Sequence, residues 1–168
     1  MREKKRWPLV LALWIIFIAL VAAVAYLSFQ NGESAKALGK GMITQLAQTQ
    51  HSGGTVTQED LDSLTYVIRQ SGRVIAFLAI GIVGTITIHV SFRKSNWLIR
   101  TGITAVILVG IAYLTEKLKV LIPSRHYSYE EMLISISAVI VGFAIVSILT
   151  LVFKAIKGFF KLVTASHA

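Results

Sequence analysis

Between Trp7 and Phe29 the chain carries no charged side chain, and three more apolar runs of comparable length follow. A helix needs about 20 apolar residues to cross the hydrocarbon core of a bilayer. The second run covers 74–92, interrupted only by His89 and a few threonines. The third covers 97–116, with Arg100 near its start and Glu116 at its end, and the fourth, 132–153, is uncharged. Each is apolar nearly all round, so none shows the polar face of a soluble surface helix. The pattern predicts an all-α membrane protein. We expect a four-helix transmembrane bundle, one domain over 1–168, with an extracytoplasmic helical segment between the first two spans. At 55% hydrophobic and 15% charged residues, a chain of 168 has too little polar surface to cover a soluble core. The absence of cysteine excludes disulfides, thiol chemistry and cysteine-held metals.

The net charge of +9 would point to nucleic acid in a soluble protein, but here the basic residues flank the apolar runs, so no nucleic-acid partner is expected. Arg2, Lys4, Lys5 and Arg6 precede the first span and hold its start in the cytoplasm. Alternation then places Arg93, Lys94, Arg100, Lys154, Lys157 and Lys161 inside as well, ten basic residues against Glu3 alone. The outer segments hold seven basic residues matched by seven acids. This bias predicts a multi-pass protein of the bacterial plasma membrane with both termini cytoplasmic. Ala23-Val24-Ala25 resembles a signal-peptide cleavage site, but the apolar run continues through Leu27 and Phe29, long enough to span, so we expect it to be retained.

Residues 30–72 form the only long polar segment. Ala35, Leu38, Met42, Ile43 and Leu46 fall at helical spacing and predict a short amphipathic helix, ended by His51-Ser52-Gly53-Gly54. Thr57 and Asp60 suggest a capping box, and Glu59, Asp60 and Asp62 suit a helix N-terminus. From about Gln58 the helical period runs unbroken into the second span. Pro123 should end any helical continuation in the loop after Glu116. The tail, 154–168, mixes lysines with Phe159 and Phe160 and reads as an interfacial anchor.

With this topology Gln30, Arg69, Arg73, Glu116, Glu130 and Glu131 all lie at the outer membrane boundary, one or more from every span. Ionisable groups at that depth turn toward the bundle and pair with one another. Arginine forks beside carboxylates suit a zwitterionic or phosphorylated headgroup. The plainer reading is a set of snorkelling charges at helix ends. Arg125, in the loop, is equally suited to capping helix carbonyls near Leu121. His89 falls near the inner end of its span and reads as a packing or interfacial residue. Gly81-x-x-x-Thr85 and Ala138-x-x-x-Gly142 allow close helix packing. No metal-ligand spacing, phosphate loop or nucleophile elbow is present, so no metal or cofactor is expected.

Several of these stretches resemble the VanZ-like family of membrane proteins. Ser28-Phe29-Gln30-Asn31-Gly32-Glu33-Ser34 is similar to the S-S-Q-x-G-x-x-S signature after that family's first span. Ile68 to Arg73 lies where the family has R-K-x-x-H; Arg69 and Phe77 match, while Arg73 replaces the histidine and Ala76 the acid. Thr115-Glu116 stands for D-E, Lys119 for a glutamine, Pro123-Ser124-Arg125 for P-G-R, Glu131 for an aspartate, and Gly142 matches a glycine in the last span. The resemblance runs through nearly the whole chain. It implies a cell-envelope role in lowering susceptibility to teicoplanin-type lipoglycopeptides. The ligand-binding set would be Gln30, Arg69, Arg73, Glu116, Arg125 and Glu131. Its partner would be a membrane lipid, a lipid-linked cell-wall precursor or the lipoglycopeptide itself. Two alternatives stay open. One is an enzyme acting on lipid headgroups or cell-wall sugars with Glu116 as general acid or base; the other is a structural subunit of an envelope complex.

The topology is open to direct measurement. Single cysteines at Ser52 and Ser166 should label oppositely with an impermeant thiol reagent on intact cells, and equal labelling would rule out the four-span arrangement.

Overall fold

The computed structural model describes residues 7–29, 58–93, 95–121 and 128–165. Among these, α1 spans Trp7–Phe29, α2 Gln58–Ser91, α3 Trp97–Lys117 and α4 Tyr129–Ala165, with a 3₁₀ turn, Leu118–Leu121, closing α3. No strand occurs among the described residues. All four helices hold a stretch long and apolar enough to cross a membrane, as their composition dictates. The anticipated helix from Gln58 into the second span is present as one unbroken element of 34 residues. The amphipathic helix expected over residues 35–46 lies outside the described residues.

Two boundaries differ from expectation. Helix α4 continues through the tail to Ala165, because Lys154 to Lys161 contains no proline and its single Gly158 meets nothing that would break the turn. Beyond Lys117 the 3₁₀ turn carries helical backbone to Leu121, two residues short of Pro123.

Helix α2 packs against the other three. Trp14 Nε1 donates to Ser91 Oγ at 3.0 Å and Thr87 Oγ1 reaches Leu13 O at 3.5 Å, while Phe17, further along α1, lies against Gly84, earlier in α2, so the two helices run antiparallel. Phe77, Ile80, Leu108, Ala112 and Val139 form the dry centre, with Phe17 supplied by α1. Around it lies a belt of exposed Ile, Val, Leu and Phe, among them Ile15, Ile18, Val106 and Ile148. In water such a belt would be a liability; against lipid tails it costs nothing. The buried hydroxyls follow the same logic. Thr85, Thr87, Thr104 and Thr115 each donate to the carbonyl four residues back, so no hydroxyl faces hydrocarbon unsatisfied at these positions.

A close backbone approach joins α2 to α4, which run parallel. A Cβ built on Gly81 would lie 2.5 Å from Val139 O, and one built on Gly142 would lie 2.5 Å from Leu78 O. Both obstacles are backbone and cannot rotate away. Gly84 serves another contact. A Cβ there would meet Leu108 Cδ2 and Phe17 Cε2, each at 2.6 Å, so its missing side chain is the notch through which α1 and α3 reach α2. The two small-residue patterns in the sequence are therefore packing devices of the bundle itself.

Gly81→Ala and Gly142→Ala should each destabilise the detergent-solubilised protein by about 1–3 kcal/mol, the range for overpacking. Gly102→Ala and Gly110→Ala, where nothing lies within 4 Å, should instead shift stability by under about 1 kcal/mol. Melting curves that fail to separate the two pairs would refute the α2–α4 crossing.

Candidate functional site

At the end of the bundle where α2 enters it, α3 finishes and α4 begins, five polar side chains meet. Arg73 comes from α2, Glu116 from α3, Lys119 from the 3₁₀ turn, and Glu131 and Ser135 from the first turns of α4. Lys119 Nζ lies 2.5 Å from Glu116 Oε2 and 3.5 Å from Glu131 Oε2. Arg73 Nη2 lies 2.8 Å from Glu131 Oε2, and its Nε 3.9 Å from Glu116 Oε1. Ser135 Oγ donates to Glu116 Oε1 at 3.2 Å and also lies 3.0 Å from its own helix's Glu131 O. Two cations thus face two carboxylates, and the cluster is neutral as a whole.

Local sequence explains the placement. Glu116 and Lys119 are three apart on continuous helical backbone, hence on one face. Ser128 caps α4: its Oγ accepts from Glu131 N at 3.4 Å, which orients the first turn and aims the Glu131 carboxylate across to α2. Glu131 and Ser135, four apart, share the inward stripe of α4. The α2–α4 contact at Gly81 and Gly142 then brings Arg73 within reach of Glu131.

Burial is uneven. Glu116 and Lys119 are 1% and 2% exposed, whereas the side chains of Arg73 and Glu131 are 13% and 26% exposed. Beside Arg73, Gln70 Oε1 accepts from Nη1 at 3.4 Å, while Gln70 Nε2 is buried without a partner. The cluster therefore has a closed floor, Glu116–Lys119–Ser135, and a rim, Gln70–Arg73–Glu131.

Of the residues expected at this site, the structure brings Arg73, Glu116 and Glu131 together. Gln30 and Arg125 lie outside the described residues; Arg69 is on α2, but its side chain lies outside them as well. Glu130 is exposed. Sequence reasoning does not place Lys119 or Ser135 in the ligand-binding set. The Glu116-x-x-Lys119 spacing is the available signal for the first, once the helix is extended past Lys117. Ser135 gives no signal, since a lone serine in an apolar span ordinarily bonds its own backbone. No grouping of His, Asp and Glu able to hold a metal occurs among the described residues.

Fold and site together define a multi-pass helical membrane protein with a neutral ionic cluster near one end of its bundle. No family model, curated protein or solved structure matches the chain.

Breaking a buried pair strands a charge, which costs about 3–5 kcal/mol, whereas replacing both partners with neutral groups costs far less. Glu116→Gln and Lys119→Met should each lower stability by about that amount, and the double variant should recover most of the loss. A double-mutant cycle from reversible unfolding in maltoside micelles reads this coupling. Single effects below about 1 kcal/mol would instead mark a solvated pair.

Proposed function

We propose that this is a membrane protein of the bacterial cell envelope that lowers susceptibility to teicoplanin-type lipoglycopeptides. It does so by binding a lipid, a lipid-linked sugar or the drug at the Gln70–Arg73–Glu131 rim. The observation that carries this reading is the gradient of burial across the cluster. The closed floor fixes the positions of the rim charges, and the rim presents a guanidinium beside a carboxylate, complementary to a headgroup with both signs of charge. Arg73 suits a phosphate or carboxylate of the ligand and Glu131 its ammonium. The named antibiotic class rests on the resemblance in Gln30, Arg69, Glu116 and Arg125 to VanZ-like proteins, and the outward position of the rim on the charge bias between the spans.

Binding is favoured over catalysis by Glu116. Both its oxygens are engaged, by Lys119 on one side and by Ser135 and Arg73 on the other, and at 1% exposure it cannot meet a substrate proton without first breaking those contacts.

Expression in a susceptible Gram-positive host should raise the inhibitory concentration of teicoplanin severalfold and that of vancomycin less, because only teicoplanin is drawn to the membrane by an acyl tail. Arg73→Lys keeps the charge and removes the fork; at equal expression it should lose most of the tolerance. Unchanged inhibitory concentrations of both drugs on expressing the unaltered chain would overturn the reading, as would full tolerance in Arg73→Lys.

A further inference from the structure

The opposite end of the bundle, where α2 turns into α3, is built on the reverse principle. Arg100 is 6% exposed and His89 8%. Arg100 Nη1 donates to His89 O at 3.3 Å, but its Nε–H has no partner. His89 Nδ1 sits 2.9 Å from Thr85 O, a group that only accepts, so Nδ1 carries the proton and Nε2 is turned away from that bond; Nε2 is buried without a partner too. Trp97, one helical turn from Arg100 on the same face, has a buried indole N–H that is likewise unused. Lys154 Nζ lies 5.6 Å from the centre of the Trp97 ring.

No carboxylate answers these cations among the described residues at this end. Glu116 is sixteen residues from Arg100 along α3, about 24 Å away, and Glu131 belongs to the same distant cluster. A buried arginine at membrane depth requires an anion or a fully hydrogen-bonded fork. The bond to His89 O caps the end of α2, yet it leaves the guanidinium charge uncompensated and two neighbouring N–H groups idle. The idle groups are two fixed donors and one acceptor, the unprotonated Nε2 of His89, with an ammonium nearby.

We infer that Arg100, Trp97, His89 and Lys154 form a binding site for a phosphate group, held between α2, α3 and α4 at the end carrying the α2–α3 turn. The Arg100 Nε–H and the Trp97 N–H donate to phosphate oxygens, Lys154 closes the site from α4, and His89 Nε2, the ring's unprotonated nitrogen, accepts from the P–O–H of a phosphomonoester. The depth of the site, within the apolar run of α3, suits a phospholipid headgroup of the adjacent leaflet; free phosphate shares the same chemistry. This site is independent of the rim around Arg73.

The test uses the full chain in maltoside micelles, with binding followed by thermal shift and by native mass spectrometry. The probes are dioctanoyl phosphatidic acid, inorganic phosphate and dioctanoylglycerol, which has the same tails and no phosphate. Saturable binding of phosphatidic acid alone assigns the site to a lipid headgroup, and binding of inorganic phosphate as well assigns it to phosphate at large. Arg100→Gln should weaken either by tenfold or more. Trp97→Phe keeps the ring under Lys154 and removes only the N–H, so it should weaken binding by about 3- to 10-fold, the value of one hydrogen bond, in a protein that still folds. Binding of dioctanoylglycerol as tight as that of phosphatidic acid would overturn the proposal. So would no binding of either phosphate probe, or affinities unchanged in Trp97→Phe.

Discussion

The backbone contact of Gly81 with Gly142 sets the dimension on which the polar architecture depends. With no hydrophobic drive between helices in lipid, close packing and hydrogen bonding must hold a bundle together. Two glycines remove the side chains that would hold α2 and α4 apart. The two helices then run parallel and close, and Arg73 and Glu131 face each other at hydrogen-bonding distance. A wider separation would leave both charges reaching for water. The same approach shelters Val139 and Phe77 completely, so the apolar centre and the ionic cluster are consequences of one contact.

The bundle distributes charge in a polarised way. Near one end, two cations and two carboxylates cancel at close range, and the buried floor is satisfied by its own members. At the other, an arginine and a histidine are buried, a lysine lies over the neighbouring Trp97 ring, and no acid answers them among the described residues. Self-neutralised charge favours a fixed scaffold, because each member is held by the others. Uncompensated charge favours association, because its stabilisation must come from elsewhere. The two ends of this small protein thus suit different physical roles despite similar residue types.

Much of the fold is legible in the sequence because the bilayer imposes a length and a polarity that leave few alternatives. The apolar runs mark all four helices, though α4 continues twelve residues beyond its run to Ala165, and the lack of a breaker after Gln58 marks α2 as a single element. Gly81 and Gly142 are readable as packing positions, though not as partners of each other, since pairing depends on which helices become neighbours. The candidate site is half legible. Arg73, Glu116 and Glu131 stand at span ends, where topology alone gathers charge. Lys119 is hidden by the loop-like composition leading to Pro123, although its spacing from Glu116 becomes informative once helical backbone reaches Leu121. Ser135 needs the tertiary structure. His89 reads in sequence as a packing residue, and nothing in its neighbourhood along the chain shows that Arg100, eleven positions on, will lie against its carbonyl.

Helix α4 is 37 residues long, about 55 Å at the ordinary helical rise, while the hydrocarbon it must cross is about 30 Å thick. Its first turns are tied to α2 and α3 through Glu131 and Ser135, so the surplus emerges at the far end as a projecting rod. The uncharged stretch of α4, 132–153, is about 33 Å long and matches that thickness. The surplus therefore begins at Lys154 and carries Lys154, Lys157 and Lys161 beyond the hydrocarbon on unbroken helix. Lys154 stands at that boundary against the Trp97 ring of α3, so the point where α4 leaves the lipid is also the point where it touches the start of α3.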